Sequence, residues 1–175
     1  MHDAPAFTAV LFSLRGCLVH ATHGNPLPGP LASLASLRAR QVPCIWLDDL
    51  SPAQGKRLAR VLPDWLPGQS APAGPAPNAC WHALMTLGSP RVAGSVLVSG
   101  DPLLLQSALN AGLWTVGLAA CTPAQAMTAQ AQELARGKAT LALYSLGVHS
   151  VIDHLEALDS CLADIALRWH KGEKP

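Results

Sequence analysis

Ser13, Arg15, Asp48, Asp49 and Asp101 all follow short apolar runs: Ala9–Phe12 precedes the first two, Val42–Leu47 the next pair and Gly94–Ser99 the last. If these runs are strands of an open α/β sheet, their carboxyl ends gather at one crevice, and these side chains would carry the chemistry. What they can do is limited. A serine hydroxyl is a poor nucleophile without an adjacent base, and no paired histidine or lysine is visible near Ser13 in the sequence. Arginine does not act as a proton acceptor in a protein, so Arg15 offers charge and fixed donors only. An unpartnered carboxylate at a partly buried strand end is costly. The expectation is therefore an ion pair that joins Arg15 to Asp101, with Asp48 as a second partner.

Other reactive groups carry weaker signals. Cys17, His20 and His23 are spaced by three and could present soft ligands to zinc or copper, but chance spacing is the better account in a chain with 7 histidines. The 5 cysteines, at 17, 44, 80, 121 and 161, are odd in number, widely spaced and free of any CxxC pair. That pattern argues against a disulfide framework or structural zinc and fits a reducing cytoplasm. Among the 5 tryptophans, Trp46 and Trp114 lie in apolar runs and belong to a core. Trp65 sits in a proline-rich loop, where it would either pack locally or form part of a protein-binding patch.

The elements that must position these groups follow from the pattern. With 175 residues, 50% of them hydrophobic and 13% charged, the chain is long enough for one packed core and short for two, so a single domain over 1–175 is expected. Twelve basic against 11 acidic residues gives a net charge of +1, which offers no broad field for nucleic acid or an anionic membrane. No apolar run approaches the roughly 20 residues of a membrane span. Apolar strands are expected at 9–12, 42–47, 94–99, 113–118 and 148–152, with a short one around Gln69. Helices are expected at 31–40, 51–62, 78–88, 102–112, 122–146 and 153–169. Ser51-Pro52 supplies a helix start and Gly112 a helix stop. Such alternation means a mostly parallel sheet covered by helices on both faces, a Rossmann-like three-layer α/β/α sandwich.

The segment Ala9-Val-Leu-Phe-Ser-Leu-Arg-Gly-Cys-Leu-Val19 resembles the first motif of the haloacid dehalogenase superfamily, an apolar strand running into Asp-x-(Asp/Ala)-Gly-Thr-(Leu/Thr)-Val. Pro72-Ala-Gly-Pro-Ala-Pro77, Val98-Ser-Gly-Asp-Pro102 and Asn110-Ala-Gly-Leu-Trp-Thr-Val-Gly117 resemble phosphonoacetaldehyde hydrolase in particular. So do Gly147-Val-His-Ser-Val-Ile-Asp153 and Lys171-Gly-Glu-Lys-Pro175. The resemblance implies an HAD-like core. It also implies that a helical cap, which in that family follows the first motif and supplies a Schiff-base lysine, is missing, since only 20–30 joins the first strand to the next helix. His149 matches a residue that the family also carries and is expected to be packed and hydrogen-bonded.

Carried over position by position, the resemblance implies loss of catalysis. Phosphoryl transfer in this superfamily needs a carboxylate nucleophile, magnesium and a cation on the phosphate. The nucleophile position matches Ser13 and the acid/base position Arg15. The phosphate-binding hydroxyl position matches Asp48, an anion. The motif-three cation matches Pro75, and the fourth motif keeps Asp101 while its second acidic position matches Leu105. The expected reading is a catalytically inactive, capless phosphonatase-like protein with no catalytic residue, no cofactor and no metal, in which Asp101 is the one retained metal candidate. It would bind a protein partner, or pair with itself, through the strand C-terminal face. The alternative is a residual or altered hydrolase that uses magnesium on a small phosphorylated or phosphonate compound. A small-anion sensor built on Arg15 and strand-end amides is a third possibility.

Overall fold

A computed structural model describes residues 7–20, 24, 25, 27, 29–72, 74–121 and 128–175. Six strands form one sheet: β1 (Ala9–Ser13), β2 (Cys44–Asp48), β3 (Gly68–Ser70), β4 (Ser95–Ser99), β5 (Trp114–Leu118) and β6 (Ser150–Ile152). Their order is β3-β2-β1-β4-β5-β6 and every pairing is parallel, with Phe12 opposite Trp46 on one side of β1 and Leu11 opposite Leu97 on the other. The chain thus winds outward in both directions from β1 and β4. The gap between their carboxyl ends is the switch point at which open α/β sheets bind ligands.

Alternation along the strands divides the core into two layers. Val10, Phe12, Trp46, Val96, Val98, Trp114 and Val116 face Leu34 and Leu37 of α1 (Pro30–Ala39) and Leu158, Leu162 and Ile165 of α6 (Leu158–His170). Leu58, at the end of α2 (Pro52–Leu58), packs against this layer. On the other face Ala9, Leu11, Ile45, Leu47 and Leu97 meet α3 (Asn78–Thr86) and α4 (Pro102–Ala111), and Leu143 of α5 (Ala129–Leu146) joins them. Strands buried on both faces must be apolar throughout, which is why β1, β4 and β5 are continuous hydrophobic runs with buried small polar residues as the exceptions.

The expected α/β/α sandwich is the observed fold, and its sheet is parallel at every pairing. The helix expected from Asp153 instead begins with a 3-10 turn at Leu155–Ala157, and α6 starts at Leu158. The helix start expected at Thr122-Pro123 lies outside the described residues; α5 is capped by the Thr128 hydroxyl, which accepts from the Ala131 amide at 3.2 Å. Ser51 and Gln54 form a capping box at α2, and Gly112 closes α4 at φ +85°, both at the positions expected. Among the described residues no helix is long and apolar enough to cross a membrane.

The short strand β3 pairs with β2 where Gly68 lies opposite Trp46, a position with no room for a side chain. The indole is 6% exposed and lies against the backbone of Gly68 and of Gly55 in α2, and a Cβ built on Gly68 would overlap its ring. Overpacking of this kind costs about 1–3 kcal/mol. Gly68→Ala is therefore expected to lower stability by about 2 kcal/mol, read by denaturant unfolding, and the cost should largely vanish in a Trp46→Leu background. An unchanged cost in the double variant would show that the indole is not the obstacle.

Candidate functional site

The strand ends surround a cleft of about 230 Å³ whose walls include Ser13, Arg15, Asp48, Asp49 and Asp101. Each is placed by an element described above. Ser13 ends β1, and Arg15 follows two residues later, in a turn closed by a bridge between Arg15 and Val19. Asp48 ends β2, Asp49 comes next, and Asp101 caps α4 directly after β4.

Arg15 and Asp48 form the centre of this arrangement. The Asp48 carboxylate accepts from the Arg15 side chain through Nε at 3.0 Å and Nη2 at 2.8 Å, from the Arg15 backbone amide at 3.2 Å and from the Leu50 amide at 3.1 Å. Its side chain is 6% exposed. Burial opposes ionisation of Asp48, but the hydrogen bonds from Arg15 and from the Leu50 amide outweigh it and hold the pKa below the ordinary carboxylate range. The same contact, chiefly the Asp48 hydrogen bond and against some desolvation, raises the pKa of Arg15. Nη2 of Arg15 also reaches Asp49 Oδ1, a carboxylate that is 48% exposed.

The expected pair of Arg15 with Asp101 does not form. Asp101 is exposed, not partly buried, and its needs are met locally: Oδ1 accepts the Leu103 amide at 3.0 Å, and its own amide donates to Ser99 Oγ at 2.9 Å. A carboxylate at a helix N-terminus is stabilised by the orphan amides and the dipole, so no guanidinium is required. Asp49 takes that second place, a role signalled only by its position in the Asp48-Asp49 doublet.

The remaining positions divide sharply. Leu105 is fully buried in the core beneath α4, and its neighbour Leu104 lines the cleft in its stead. Pro75 is exposed, and its carbonyl accepts from Asn110 Nδ2 at 2.7 Å, so the turn is tied to α4 without bringing a charge to the wall. Ser13 is 7% exposed, and its Oγ has no hydrogen-bond partner among the described residues. Among the described residues no histidine or lysine lines the cleft beside it to make it a nucleophile.

Magnesium does not suit this donor set. It demands near-octahedral oxygen ligands, whereas Asp48 is committed to a guanidinium whose charge opposes a metal at the adjoining position. Among the described residues no group of three or more His, Cys, Asp or Glu is arranged to hold a metal ion. His23 of the Cys17, His20, His23 trio lies outside the described residues, and Cys17 is buried with its thiol directed at the Val98 carbonyl, 3.7 Å away. His149 is structural: Nδ1 accepts the Thr115 amide at 3.0 Å, the ring meets Trp114 edge-on, and burial, then Arg168, lowers its pKa. Trp65 lies at the opposite end of the sheet from the cleft, beside Val42 and Cys44, with the Arg38 guanidinium 4.6 Å above its ring, so it is packed locally.

Two outcomes follow from the Arg15–Asp48 pair. Asp48→Ala leaves a guanidinium and two amides without their acceptor and should cost about 3 kcal/mol in denaturant unfolding, whereas Asp49→Ala, with its exposed partner, should cost below about 1 kcal/mol. Because the folded pKa of Asp48 is depressed, its contribution is fully present above the unfolded carboxyl value and is lost as pH falls through the folded one. Thermal midpoints of the natural protein should therefore drop below about pH 4 more steeply than those of Asp48→Asn. Parallel curves would contradict the pairing.

No protein-family model matches the chain. It is 32% identical over 171 residues to the phosphonoacetaldehyde hydrolase of Salmonella gallinarum, an alignment covering 86% of this chain and 62% of that relative. The chain thus spans less than two thirds of the length of the curated relatives it matches. One solved crystal structure is 49% identical, with a TM-score of 0.88, over 97% of this chain and 100% of the other. A phosphonoacetaldehyde hydrolase-like protein from Oleispira antarctica superposes with a TM-score of 0.78 over 87% of this chain and 61% of its own, at 23% identity, which is agreement of fold. With the Rossmann-like core, the strand-end cleft and these relatives together, the chain belongs to the haloacid dehalogenase superfamily and is phosphonatase-like.

Proposed function

We propose that this chain has lost phosphoryl transfer and uses its strand-end cleft for binding. The observation that carries the proposal is the Asp48 carboxylate, which accepts from the backbone amides of Arg15 and Leu50 and from the Arg15 guanidinium. These are the kinds of donor that would otherwise receive an external phosphate. An internal anion already satisfies them, and its charge opposes a second one.

The rest of the chemistry points the same way. Among the described residues no histidine or lysine lines the cleft beside Ser13, Arg15 is an ion-pair partner, and Pro75 brings no charge. Loss of one preorganised stabilising group costs roughly 3 kcal/mol in a transition state, and several such losses leave little rate enhancement. The segment 14–29 between β1 and α1 is too short to hold an inserted helical domain, so the proposal includes an open, uncapped cleft. It includes a reducing cytoplasmic setting, in keeping with the free thiols of Cys44, Cys80 and Cys161. Operation without magnesium is part of the same reading, as is a ligand, partner or second copy that approaches the strand C-terminal face. Arg15 is poorly placed to sense anions, since Nε and Nη2 are both engaged by carboxylates.

A phosphatase assay with magnesium and p-nitrophenyl phosphate is expected to give no turnover above background, and Asp101→Ala should change nothing. Ser13→Asp alone should not restore activity while Arg15 and Asp48 remain. Turnover by the natural protein that Asp101→Ala abolishes would replace this reading with that of a residual hydrolase.

A further inference from the structure

Helix α5 meets the rest of the domain along a narrow edge. Of its 18 residues Leu143 alone is buried, with Ala139 and Leu146 partly covered beside it. The opposite face of a surface helix is ordinarily polar. Here Gln130, Leu134, Gly137, Leu141 and Tyr144 are all exposed and follow one another at intervals of four and three, the seam spacing of helices that pair with other helices. Three of the nine exposed large hydrophobic side chains among the described residues fall in this seam: Leu134 at 63%, Leu141 at 70% and Tyr144 at 54%. Glycine in a helix interior is destabilising relative to alanine, and nothing within the chain calls for Gly137. A Cβ built there would meet no neighbouring atom within 4 Å. Its missing side chain leaves a notch between Leu134 and Leu141, in an open hollow of about 840 Å³.

Charge identifies the occupant. Glu133 and Lys138 flank the seam on opposite sides, each next to a seam residue. Five positions apart, they do not face each other on one helix, and neither forms an ion pair among the described residues. When two such helices lie parallel and in register, these two flanking positions meet across the seam. Each Glu133 then stands beside the partner's Lys138, and a two-fold axis makes the contact twice. An antiparallel pair that seats Leu141 in the partner's notch would instead bring the two copies of Lys138 together, which is repulsive. We infer that α5 pairs in parallel with α5 of a second copy of this chain. Leu134, Leu141 and Tyr144 pack along the axis, Gly137 lets the two backbones approach, and Glu133 pairs with the partner's Lys138. At about 1.5 Å per residue the seam is roughly 21 Å long, which suits a small, reversible interface. Among the described residues none of α5 lines the strand-end cleft, so this surface is separate from the binding reading and does not depend on it.

Sedimentation velocity of the full chain between about 5 and 500 µM tests the pairing. The natural protein should exchange reversibly between monomer and dimer with a micromolar Kd. Leu141→Glu replaces an exposed side chain, so it should keep the circular dichroism and thermal unfolding of the dilute natural protein while weakening dimerisation at least about a hundredfold. Glu133→Lys and Lys138→Glu each set like charges across the seam and should each weaken self-association about tenfold. Mixed together, these two variants restore opposite charges at both contacts and should pair at least about tenfold more tightly than either does alone. A natural protein that stays monomeric throughout, or a dimer indifferent to Leu141→Glu, overturns the inference. So does a Glu133→Lys variant that dimerises like the natural protein, or a mixture that shows no preference.

Discussion

The contact between Arg15 and Asp48 sets what the rest of this structure can do. A parallel sheet wound in both directions from its middle leaves a crevice with backbone amides at the strand ends, and such a crevice attracts an anion. Here the anion is part of the chain. Asp48 is 6% exposed, so its carboxylate could not be held there without compensation, and Arg15 together with two amides supplies it. Each group accounts for the other: the guanidinium would be an unbalanced charge beside the sheet, and the carboxylate would be an unsolvated one. Once they are joined, donors of the chain itself occupy the carboxylate, and the proposed loss of phosphoryl transfer rests on that contact.

The elements around the pair hold it in place. β1 delivers Arg15 by ending in a tight turn, and β2 delivers Asp48 in register with it, since Ser13 lies opposite Leu47. α4 absorbs Asp101 as its cap, which removes that carboxylate from competition for Arg15. The turn at Gly74–Pro75 is tied down by Asn110 and Ser107 of α4, through bonds to the Pro75 and Ala76 carbonyls. The cleft is thus framed by backbone hydrogen bonding that is largely satisfied, and Ser13, a residue of its wall, keeps a buried Oγ with no partner among the described residues.

Much of this was legible in the residues. Apolar runs at β1, β2, β4 and β5 announce themselves because both faces of a central parallel strand are buried, and the caps at Ser51 and Gly112 carry local signals. The partner of Arg15 was legible only in part. Asp48 could be named because it ends a strand adjacent to β1, but the choice between Asp49 and Asp101 depends on burial, and sequence does not report that Asp101 is exposed and locally capped. The place of Trp65 was hidden for a related reason: a proline-rich loop can leave the sheet in either direction, and here it runs to the amino-terminal end of β2, where Arg38 covers the indole. Leu105 shows the same limit on a helix, since one position along α4 separates a core side chain from the cleft-lining Leu104.

The central claim, that an internal ion pair fills the anion site, is tested most directly by observing the Arg15 Nε–H resonance by NMR during titration with inorganic phosphate. The account predicts a slowly exchanging proton that is insensitive to phosphate, and that gains a saturable response when Asp48 is replaced by serine. A saturable phosphate response at Arg15 in the natural protein would contradict it.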